Sequence, residues 1–535
     1  MSKKEKKERE LFLKLKDRVE FLYSNNEISI TEAVKNACND LDIEFNDTRR
    51  RTMSRFLSKK GITNSTSDNI EETDVFKEAK TKVIDKSKKK YIFSWCQSET
   101  EIHQDFLTNI EEYAKHIDAS IHIIAGRYKN PTSIQSNKNT QAKEKNLSNT
   151  WHPRVIKYLD ANRHKIHDNL CLLSDVKIQP TASTPLSGLN GMTGIESCIV
   201  GHPRVHLKSL PILDGYPHKL LLSTGSVSVE NYTDTKSGKK GEFHHTLGFV
   251  IVEIDGDSFH IRQVQCDEDG SFYDLKYFVS GGEVMLHSGV ESIIFGDLHL
   301  GETNNSILKK SFDLAKYLKC ETVILHDVFN GHSISHHERH QPFQLLKRED
   351  DKTNSLNKEL LQMLDFFLKY KEYNFVMVRS NHDEFLDRWL NDVDWRKSFN
   401  KREYLSLSHI LMNDTTGKGV IPALIEETKL ENVYCLGIDE SYRIKDWECG
   451  MHGHLGTNGS RGGVIQFKNL NTKNVTGHTH TPCREDGHCS VGTLTYLRVG
   501  YNKGPSSWMN SNFVIYPNGK GHHVHIINNK FTTLK

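Results

Sequence analysis

Short apolar runs that are followed at once by polar side chains recur through the last part of the chain. The first spans 291–301, where Ile293, Ile294 and Phe295 predict a buried strand that ends at Gly296. Four later segments repeat this design: 322–331, 374–383, 449–456 and 474–481. The first three runs lie roughly 30 to 50 residues apart with helical patterns between them, and this spacing indicates parallel βαβ units.

Each run delivers oxygen or nitrogen donors at the end of its predicted strand. Asp297 and His299 follow the first strand, and because residues i and i+2 point the same way there, both can meet one metal ion. The later runs supply donors of the same kind: Asp327, Asn381, His382, His452, His478 and His480. A single pair of this kind can arise by chance. Because five segments repeat the design, the sequence predicts a metal site at the carboxyl edge of one sheet.

The first 90 residues are locally basic and predict helices. A helical pattern over 11–22 is followed by a second over 29–41, a short break, and an arginine-rich helix that stops at Gly61. This order is typical of a helix-turn-helix DNA reader, whose phosphate contacts would be Arg49, Arg50, Arg51 and Arg55. A small helical bundle with a solvated basic face explains the same pattern. Residues 62–90 predict a polar linker.

Residues 91–285 predict a mixed α/β domain. A strand near 91–95, a helical pattern over 102–116 and a strand near 120–126 indicate the start of a βαβ unit. Later apolar runs predict strands separated by Gly and Asp turns. Because this segment holds no catalytic constellation and no phosphate-loop spacing, we expect it to bind substrate or to serve in assembly.

Composition narrows the class of protein. A chain of 535 residues predicts two or three domains, and 71 Lys and Arg against 69 Asp and Glu give a net charge of only +2. The net charge therefore does not indicate nucleic-acid binding, and any contact with nucleic acid must come from local basic patches. Ten cysteines without a paired framework indicate a reducing cytoplasm. We expect no signal peptide, because the first residues are charged, and no membrane span, because no apolar run reaches roughly 18 residues.

The five runs together resemble the ordered motifs of the calcineurin-like metallophosphoesterases, which are D-x-H, G-D-x-x-D, G-N-H-D/E, H and G-H-x-H. The resemblance covers about the last 250 residues. His326 and Ser380 stand where these motifs have Gly, and Asn330 replaces the second acidic residue of the second motif. The resemblance implies an α/β fold: a C-terminal metallophosphoesterase β-sandwich flanked by helices over 286–535, preceded by the mixed α/β domain and the small helical N-terminal domain.

The resemblance also implies two divalent metal ions bridged by Asp327. The other ligands of the first ion are then Asp297, His299 and His480. Those of the second ion are Asn381, His452 and His478. Mixed nitrogen and oxygen ligands suit Mn²⁺, Fe²⁺ or Zn²⁺ more than Ca²⁺. The resemblance to the nucleases of this family implies Mn²⁺, with Fe²⁺, Zn²⁺ and Mg²⁺ as alternatives. By the family's pattern a water between the ions attacks phosphorus, His382 protonates the leaving oxygen, and Asp383 orients the His382 imidazole.

Four further side chains near the expected centre are candidates for contact with substrate phosphate. His337 and Arg339 lie in the loop after the second motif, and His454 and Arg461 lie at the fourth. A solvent-exposed polar loop explains these residues about as well as a phosphate contact does.

The metal centre alone does not name the substrate, because the same chemistry serves phosphoprotein phosphatases, phosphodiesterases and nucleases. The basic N-terminus, the large middle segment and the local motif context resemble the early host-DNA-degrading metallophosphoesterases of large tailed phages, and distantly the nuclease subunit of double-strand-break repair complexes. This resemblance implies a Mn²⁺-dependent DNase acting on DNA in the host cytoplasm. Homo-oligomer formation and endo- or exonucleolytic cutting stay open. The alternatives are a phosphatase acting on protein or nucleotide, and a DNA-binding regulator with an inert esterase domain.

Overall fold

The computed structural model describes residues 3–25, 30–59, 73–128, 150–335, 341–470, 472–500 and 502–534. By their contacts the residues fall into two units, Met1–Thr73 with Gln141–Asn146, and Asp74–Thr140 with Leu147–Lys535. Among the described residues, no helix is long and apolar enough to cross a membrane.

The first unit contains three helices, α1 (Lys3–Asn25), α2 (Ile30–Asp40) and α3 (Asp47–Lys59). Their apolar faces meet in a small core that includes Leu15, Val19, Val34, Ala37 and Met53. Arg51 and Arg55 are exposed on α3, four residues apart and hence on one helix face. Arg50 is half-buried, and Arg49 donates to the backbone carbonyl of Glu44. The predicted N-terminal helices are confirmed, whereas their contact with DNA stays a prediction.

The second unit begins with a succession of strands and short helices. In chain order they are α4 (Asp74–Lys80), β1 (Lys90–Gln97), α5 (Gln104–Ile117), β2 (Ala119–Gly126), α6 (Pro153–Ile156), β3 (Leu159–Asp160), β4 (Arg163–His167), β5 (Leu170–Leu173), β6 (Ser197–Val200), β7 (Leu207–Leu210), β8 (Lys219–Ser223), α7 (Lys236–Phe243), β9 (Gly248–Asp255), β10 (Ser258–Gln265), β11 (Phe272–Asp274), β12 (Tyr277–Ser280) and β13 (Glu283–Leu286). Five strands form a sheet in the order β10-β9-β1-β2-β3. Because β1 and β2 are parallel and α5 connects them, the predicted βαβ start is confirmed.

The rest of the second unit alternates strands with helices before it ends in strands. In chain order its elements are β14 (Ser292–Ile294), α8 (Asn305–Tyr317), β15 (Thr322–Leu325), α9 (Pro342–Asp350), α10 (Leu356–Lys369), β16 (Asn374–Met377), α11 (Asn381–Asp392), α12 (Lys401–Met412), α13 (Val420–Thr428), β17 (Val433–Cys435), β18 (Arg443–Ile444), β19 (Trp447–Glu448), α14 (Val464–Lys468), β20 (Lys473–Thr476), β21 (Cys483–Glu485), β22 (His488–Ser490), β23 (Ser511–Ile515) and β24 (Gly521–His525). A six-stranded sheet has the order β17-β16-β15-β14-β23-β24, and its first four strands are parallel.

Side chains that alternate along these parallel strands pack into two different cores. On one face Ile294, Ile324 and Val376 pack with Trp447 and other residues of a second sheet. On the opposite face the strands pack against helices, as the neighbouring residues Ile293, Val323 and Phe375 pack with Phe312 of α8 and Phe366 of α10. The predicted α/β fold, a sandwich of sheets flanked by helices, is confirmed.

The second sheet of this sandwich has ten strands in the order β18-β19-β20-β22-β21-β7-β8-β6-β5-β4, so it draws on both 91–285 and 286–535. The two segments meet where β21 pairs antiparallel with β7. A buried network joins them again, because Arg262 donates to Glu253 at 2.5 Å and Glu253 accepts from the Thr533 hydroxyl at 2.6 Å. The sequence-based boundary near residue 285 therefore does not separate two compact units, since hydrophobic periodicity does not report which distant strands pair.

The shared sheet predicts that the last segment is not stable by itself. The chain 74–535 should unfold in one cooperative transition, whereas 286–535 should not, because β21 loses its partner β7 and exposes a strand edge. Denaturation of both chains in urea, followed by circular dichroism, checks this expectation. A cooperative transition of 286–535 at the midpoint of the longer chain would contradict it.

Candidate metal centre

The carboxyl ends of β14 and β15 continue as two loops that stay paired beyond the strands. The His299 N–H donates to the Asp327 carbonyl at 2.7 Å, and the Leu298 N–H donates to the His326 carbonyl at 3.0 Å. The register of the parallel strands is thereby carried into the loops. Side chains that lie apart in the sequence are held together by this backbone ladder.

The site draws on both sheets of the sandwich, because β20 of the ten-stranded sheet ends next to β14 and β15, so the predicted location at the edge of one sheet is wrong. Four residues that follow these three strands adopt left-handed backbone conformations that non-glycine residues rarely adopt. The φ angles are 43° for His299, 47° for Asp327, 68° for His478 and 55° for His480. Such conformations cost free energy and concentrate at functional sites, where the surrounding structure enforces them. Each of these four residues is one that the sequence predicts as a metal ligand.

The first cluster contains Asp297, His299, Asp327 and His480, each offering one ligand atom within 4.8 Å of the others. All four are buried. His480 Nε2 lies 3.1 Å from Asp297 Oδ2 and 3.0 Å from His299 Nε2, and His299 Nε2 lies 3.4 Å from Asp327 Oδ2. Two carboxylates and two imidazoles thus face one another with little access for water.

The second cluster shares Asp327 with the first and adds His452 and His478. His452 Nε2 lies 3.1 Å from Asp327 Oδ2 and also 3.1 Å from the amide oxygen of Asn381. Asn381 is therefore brought to the same cluster, as the sequence predicts. The arrangement places one carboxylate between two sets of nitrogen and oxygen donors.

Unsatisfied polar atoms show that these residues fit a metal ion. Asp297 Oδ1 and Asp327 Oδ1 are buried without a hydrogen-bond partner. Buried polar atoms without partners are costly and rare in native proteins. Gly477 lies close by, where an added Cβ atom would stand 2.2 Å from Asp297 Oδ1. The chemistry of the donor set and these orphaned atoms both match a divalent cation.

Burial also sets the protonation of the histidines. It lowers the pKa of His299 to about 3 and that of His478 to about 4, which favours the neutral, metal-binding form. Burial likewise disfavours charge on His452, but the neighbouring Asp327 carboxylate outweighs it and raises the pKa to about 9. His452 must therefore release a proton before it can bind a metal ion.

The structure corrects the predicted role of Asp383. His382 is oriented instead by a backbone group, since its Nδ1 lies 2.6 Å from the Asn330 carbonyl oxygen. Asp383 forms the capping box of α11 with Ser380, accepting from the Ser380 N–H at 3.0 Å and donating its own N–H to the Ser380 hydroxyl. In a capping box the side chain at the third helical position accepts from the N–H of the N-cap residue, and Asp383 uses Oδ2 in this way while its Oδ1 is buried without a hydrogen-bond partner. Burial raises the pKa of Asp383 to about 7.

The other candidates for substrate contact fall in different places. His454 lies beside the second cluster, with its ring centroid 5.4 Å from that of His452 and its Nε2 3.3 Å from Glu384 Oε1. Arg461 is exposed. His337 and Arg339 lie outside the described residues.

Sequence reasoning missed two contributors to the site. His326 stands where the motif has Gly, and its buried ring lies 5.4 Å from the His452 ring. Only the departure from the motif marked this position. Asn330 contributes its backbone carbonyl to His382, and since every residue has such a carbonyl, no sequence signal could have found it.

Comparison with known proteins finds a relative that is similar to most of the chain. No protein-family model matches it. Protein A1 of Escherichia phage T5 is 30% identical over 474 residues, a match that covers 83% of this chain and 83% of that protein. The chain belongs to the family of Protein A1.

Solved structures give only a slight likeness. Vps29 of Chaetomium thermophilum is 11% identical and matches 35% of this chain and 94% of its own, with a TM-score of 0.20. The same protein in complex with a cyclic peptide is 10% identical over 34% of this chain and 91% of its own, with a TM-score of 0.19. These values are too low to support any inference about function.

A change at the shared carboxylate should lower the metal content of the protein. Asp327→Ala removes a donor from both clusters, so the purified variant should retain less divalent metal than the unaltered protein. Metal content after dialysis against Mn²⁺ and then metal-free buffer, measured by plasma mass spectrometry, checks this. The matched control is Asp313→Ala, because Asp313 forms an exposed ion pair with Lys310 on α8. Equal metal content in Asp327→Ala and Asp313→Ala would contradict the assignment.

Proposed function

We propose that this chain is a metal-dependent phosphodiesterase that hydrolyses DNA. The observation that carries the proposal is the pair of clusters joined through the buried Asp327, with donors that follow strands of both sheets of the sandwich. A structural metal site is usually closed by four ligands around one ion, whereas two overlapping donor sets suit a pair of ions about 3.5 to 4 Å apart. Such a pair is the arrangement that phosphoester hydrolysis uses.

In this proposal Asp297, His299 and His480 hold one ion, Asn381, His452 and His478 hold the other, and Asp327 contacts both. Mn²⁺ suits the mixed nitrogen and oxygen donors. Bound divalent ions supply a water of lowered pKa and neutralise the charge that develops on phosphate oxygens. The neutral amide of Asn381 contributes an oxygen without adding a negative charge that would repel phosphate.

In this proposal His382 gives a proton to the leaving group. Its Nδ1 is engaged by the Asn330 carbonyl, and its ring lies 4.5 Å from that of His299 and 4.6 Å from that of Phe385. These contacts fix the ring plane and direct Nε2 away from the Asn330 backbone. Because a carbonyl oxygen only accepts, Nδ1 carries a proton, and it is the imidazolium form of His382 whose Nε2 proton passes to the leaving oxygen when the P–O bond breaks.

Two features of the chain favour DNA as the substrate. The family includes a phage protein, and the first unit presents exposed arginines on α3. Both are consistent with a phage-type DNase that acts on host DNA in the cytoplasm of the infected cell. A phosphatase for protein or nucleotide needs neither feature.

The direct test is hydrolysis by the purified full chain. Supercoiled plasmid and linear duplex DNA should be degraded with Mn²⁺ and left intact with a chelator, while a phosphopeptide should be hydrolysed poorly under the same conditions. Asp327→Ala should lose the DNase activity and Asp313→Ala should keep it. Faster turnover of the phosphopeptide than of DNA would contradict the proposed substrate.

His382→Ala should separate chemistry from metal binding. Because this change removes no proposed ligand, metal content should stay at the level of the unaltered protein, while kcat should fall by about 10² to 10⁴, the usual contribution of a general acid or base. Metal analysis and steady-state kinetics on one preparation check both parts. Loss of metal in this variant would instead make His382 a ligand.

Removal of the first unit should weaken DNA binding without affecting the chemistry. If the arginines of α3 contact phosphates, a chain that begins at Asp74 should show a smaller slope of log K against log salt, by about 0.9 for each lost contact. Hydrolysis of bis-p-nitrophenyl phosphate should survive, since the clusters lie in the second unit. If the salt slope is unchanged and the number of chains per particle in solution differs from that of the full chain, the helices serve assembly instead.

A further inference from the structure

A cavity of about 570 Å³ lies against the second cluster and has no part in the proposed chemistry. Its walls are the loop 437–441 after β17, the segment 450–459 around His452, and the residues Gln466, Phe467 and Leu470 in and after α14. His452 and His454 both line it. The volume falls within the range of roughly 300–1,000 Å³ that is usual for small-ligand sites. Because His452 belongs to the cluster, a ligand in this cavity would lie next to the reacting phosphate.

Buried polar groups that line the cavity lack partners. Arg379 is only 8% exposed, and while its Nη2 pairs with Asp387, its Nε and Nη1 have no hydrogen-bond partner. The Oε1 atom of Gln466 and the Nδ1 atom of His454 are likewise buried without partners. Since buried donors and acceptors are nearly always satisfied in native proteins, these atoms indicate a ligand that offers both acceptors and donors.

The charge of the lining argues against a phosphate deep in the cavity. Asp439, Glu440 and Glu448 line it, and Arg379 is already paired with Asp387. The Gly437 N–H, which donates to Glu440, and the Lys418 ammonium lower the pKa of Glu440 to about 2, so this carboxylate stays charged. A negatively charged group would be repelled there, whereas an uncharged ring with polar edges would not.

The apolar part of the lining suits a flat ring. Ile438, Leu455 and Leu470 line the cavity and are 55%, 40% and 47% exposed. A ligand would cover these side chains and gain the hydrophobic contribution of that contact. Apolar walls combined with a few unsatisfied polar atoms are the usual composition of a small-ligand site. A nucleobase has both an apolar face and hydrogen-bonding edges.

We propose that this cavity binds one nucleoside adjoining the scissile phosphodiester, so that DNA is held with one base unstacked beside the metal centre. The proposal rests on the proposed function and adds how the substrate is recognised. Unstacking one base costs a few kcal/mol in a duplex and less in single strands or frayed ends. The enzyme should therefore act faster on single-stranded DNA and at duplex ends than on the interior of a duplex.

The test compares esters with and without a nucleoside. The substrates are the 5′- and 3′-(p-nitrophenyl phosphate) esters of thymidine, and methyl p-nitrophenyl phosphate, each hydrolysed by water with release of p-nitrophenolate. Leu455→Trp and Ile438→Trp place a large side chain at the partly exposed wall of the cavity. Each should raise KM at least tenfold for one thymidine ester, and the methyl ester, which has no group to place in the cavity, should be hydrolysed as before.

A third variant controls for the added tryptophan itself. Leu405 is 55% exposed on α12 and does not line the cavity, so Leu405→Trp should leave the kinetics of all three esters unchanged. Unaltered KM for both thymidine esters in the cavity variants would overturn the proposal. An equal loss on the methyl ester would also overturn it, because the variants would then disturb the centre rather than the cavity.

The proposed function and the nucleoside site fail in different ways. If the unaltered protein hydrolyses none of the three esters with Mn²⁺, the hydrolase assignment is contradicted. The nucleoside site is then tested by calorimetry, which compares the affinity of the protein for thymidine 5′-monophosphate with its affinity for deoxyribose 5-phosphate. Tighter binding of the nucleotide that Leu455→Trp removes supports the nucleoside site, and equal binding of the two ligands overturns it.

Discussion

The Asp327 carboxylate lies between ring nitrogens that reach it from different parts of the chain, His299 at 3.4 Å and His452 at 3.1 Å. Burial alone would keep this carboxyl protonated, but the surrounding histidines hold its pKa well below the usual value. A buried charge of this kind is tolerable only where opposite charge is supplied close by. The neighbouring Asp297 adds a second carboxylate, so the edge of the sheet concentrates negative charge that a divalent cation would balance.

The rest of the second unit holds these charged side chains close together. Strands β14, β15 and β16 are buried on both faces, by the second sheet on one side and by helices on the other. Their ladder continues into the loops that carry Asp297, His299 and Asp327, which fixes strained backbone conformations that would otherwise relax. The capping box of Ser380 and Asp383 starts α11 at Asn381 and so places the amide beside His452.

Asp297, Asp327 and Asn381 were predictable because each follows an apolar strand of one parallel sheet, and such strands bring these positions to one edge. His452, His478 and His480 instead follow β19 and β20 of the second sheet, and the spacing of apolar runs does not report that change of sheet. Other features leave no such trace in the sequence. The Asn330 carbonyl that orients His382 belongs to the backbone, and the pairing of β7 with β21 joins segments that periodicity treats as independent. Asp383 was assigned to His382 by its place in the motif, whereas its Oδ2 accepts from the N–H of Ser380, the residue that caps α11. The roles of the N-terminal arginines stay predictions.

The claim that Asp327 is shared by two ions can be measured directly by electron paramagnetic resonance of the Mn²⁺-loaded full chain. Two ions bridged by one carboxylate are magnetically coupled, so the account predicts two Mn²⁺ per chain and a broadened, coupled spectrum. Asp327→Ala should lose the coupling, because the bridge between the two clusters is gone. One Mn²⁺ per chain with the six-line spectrum of an isolated ion, in the unaltered protein, would contradict the account.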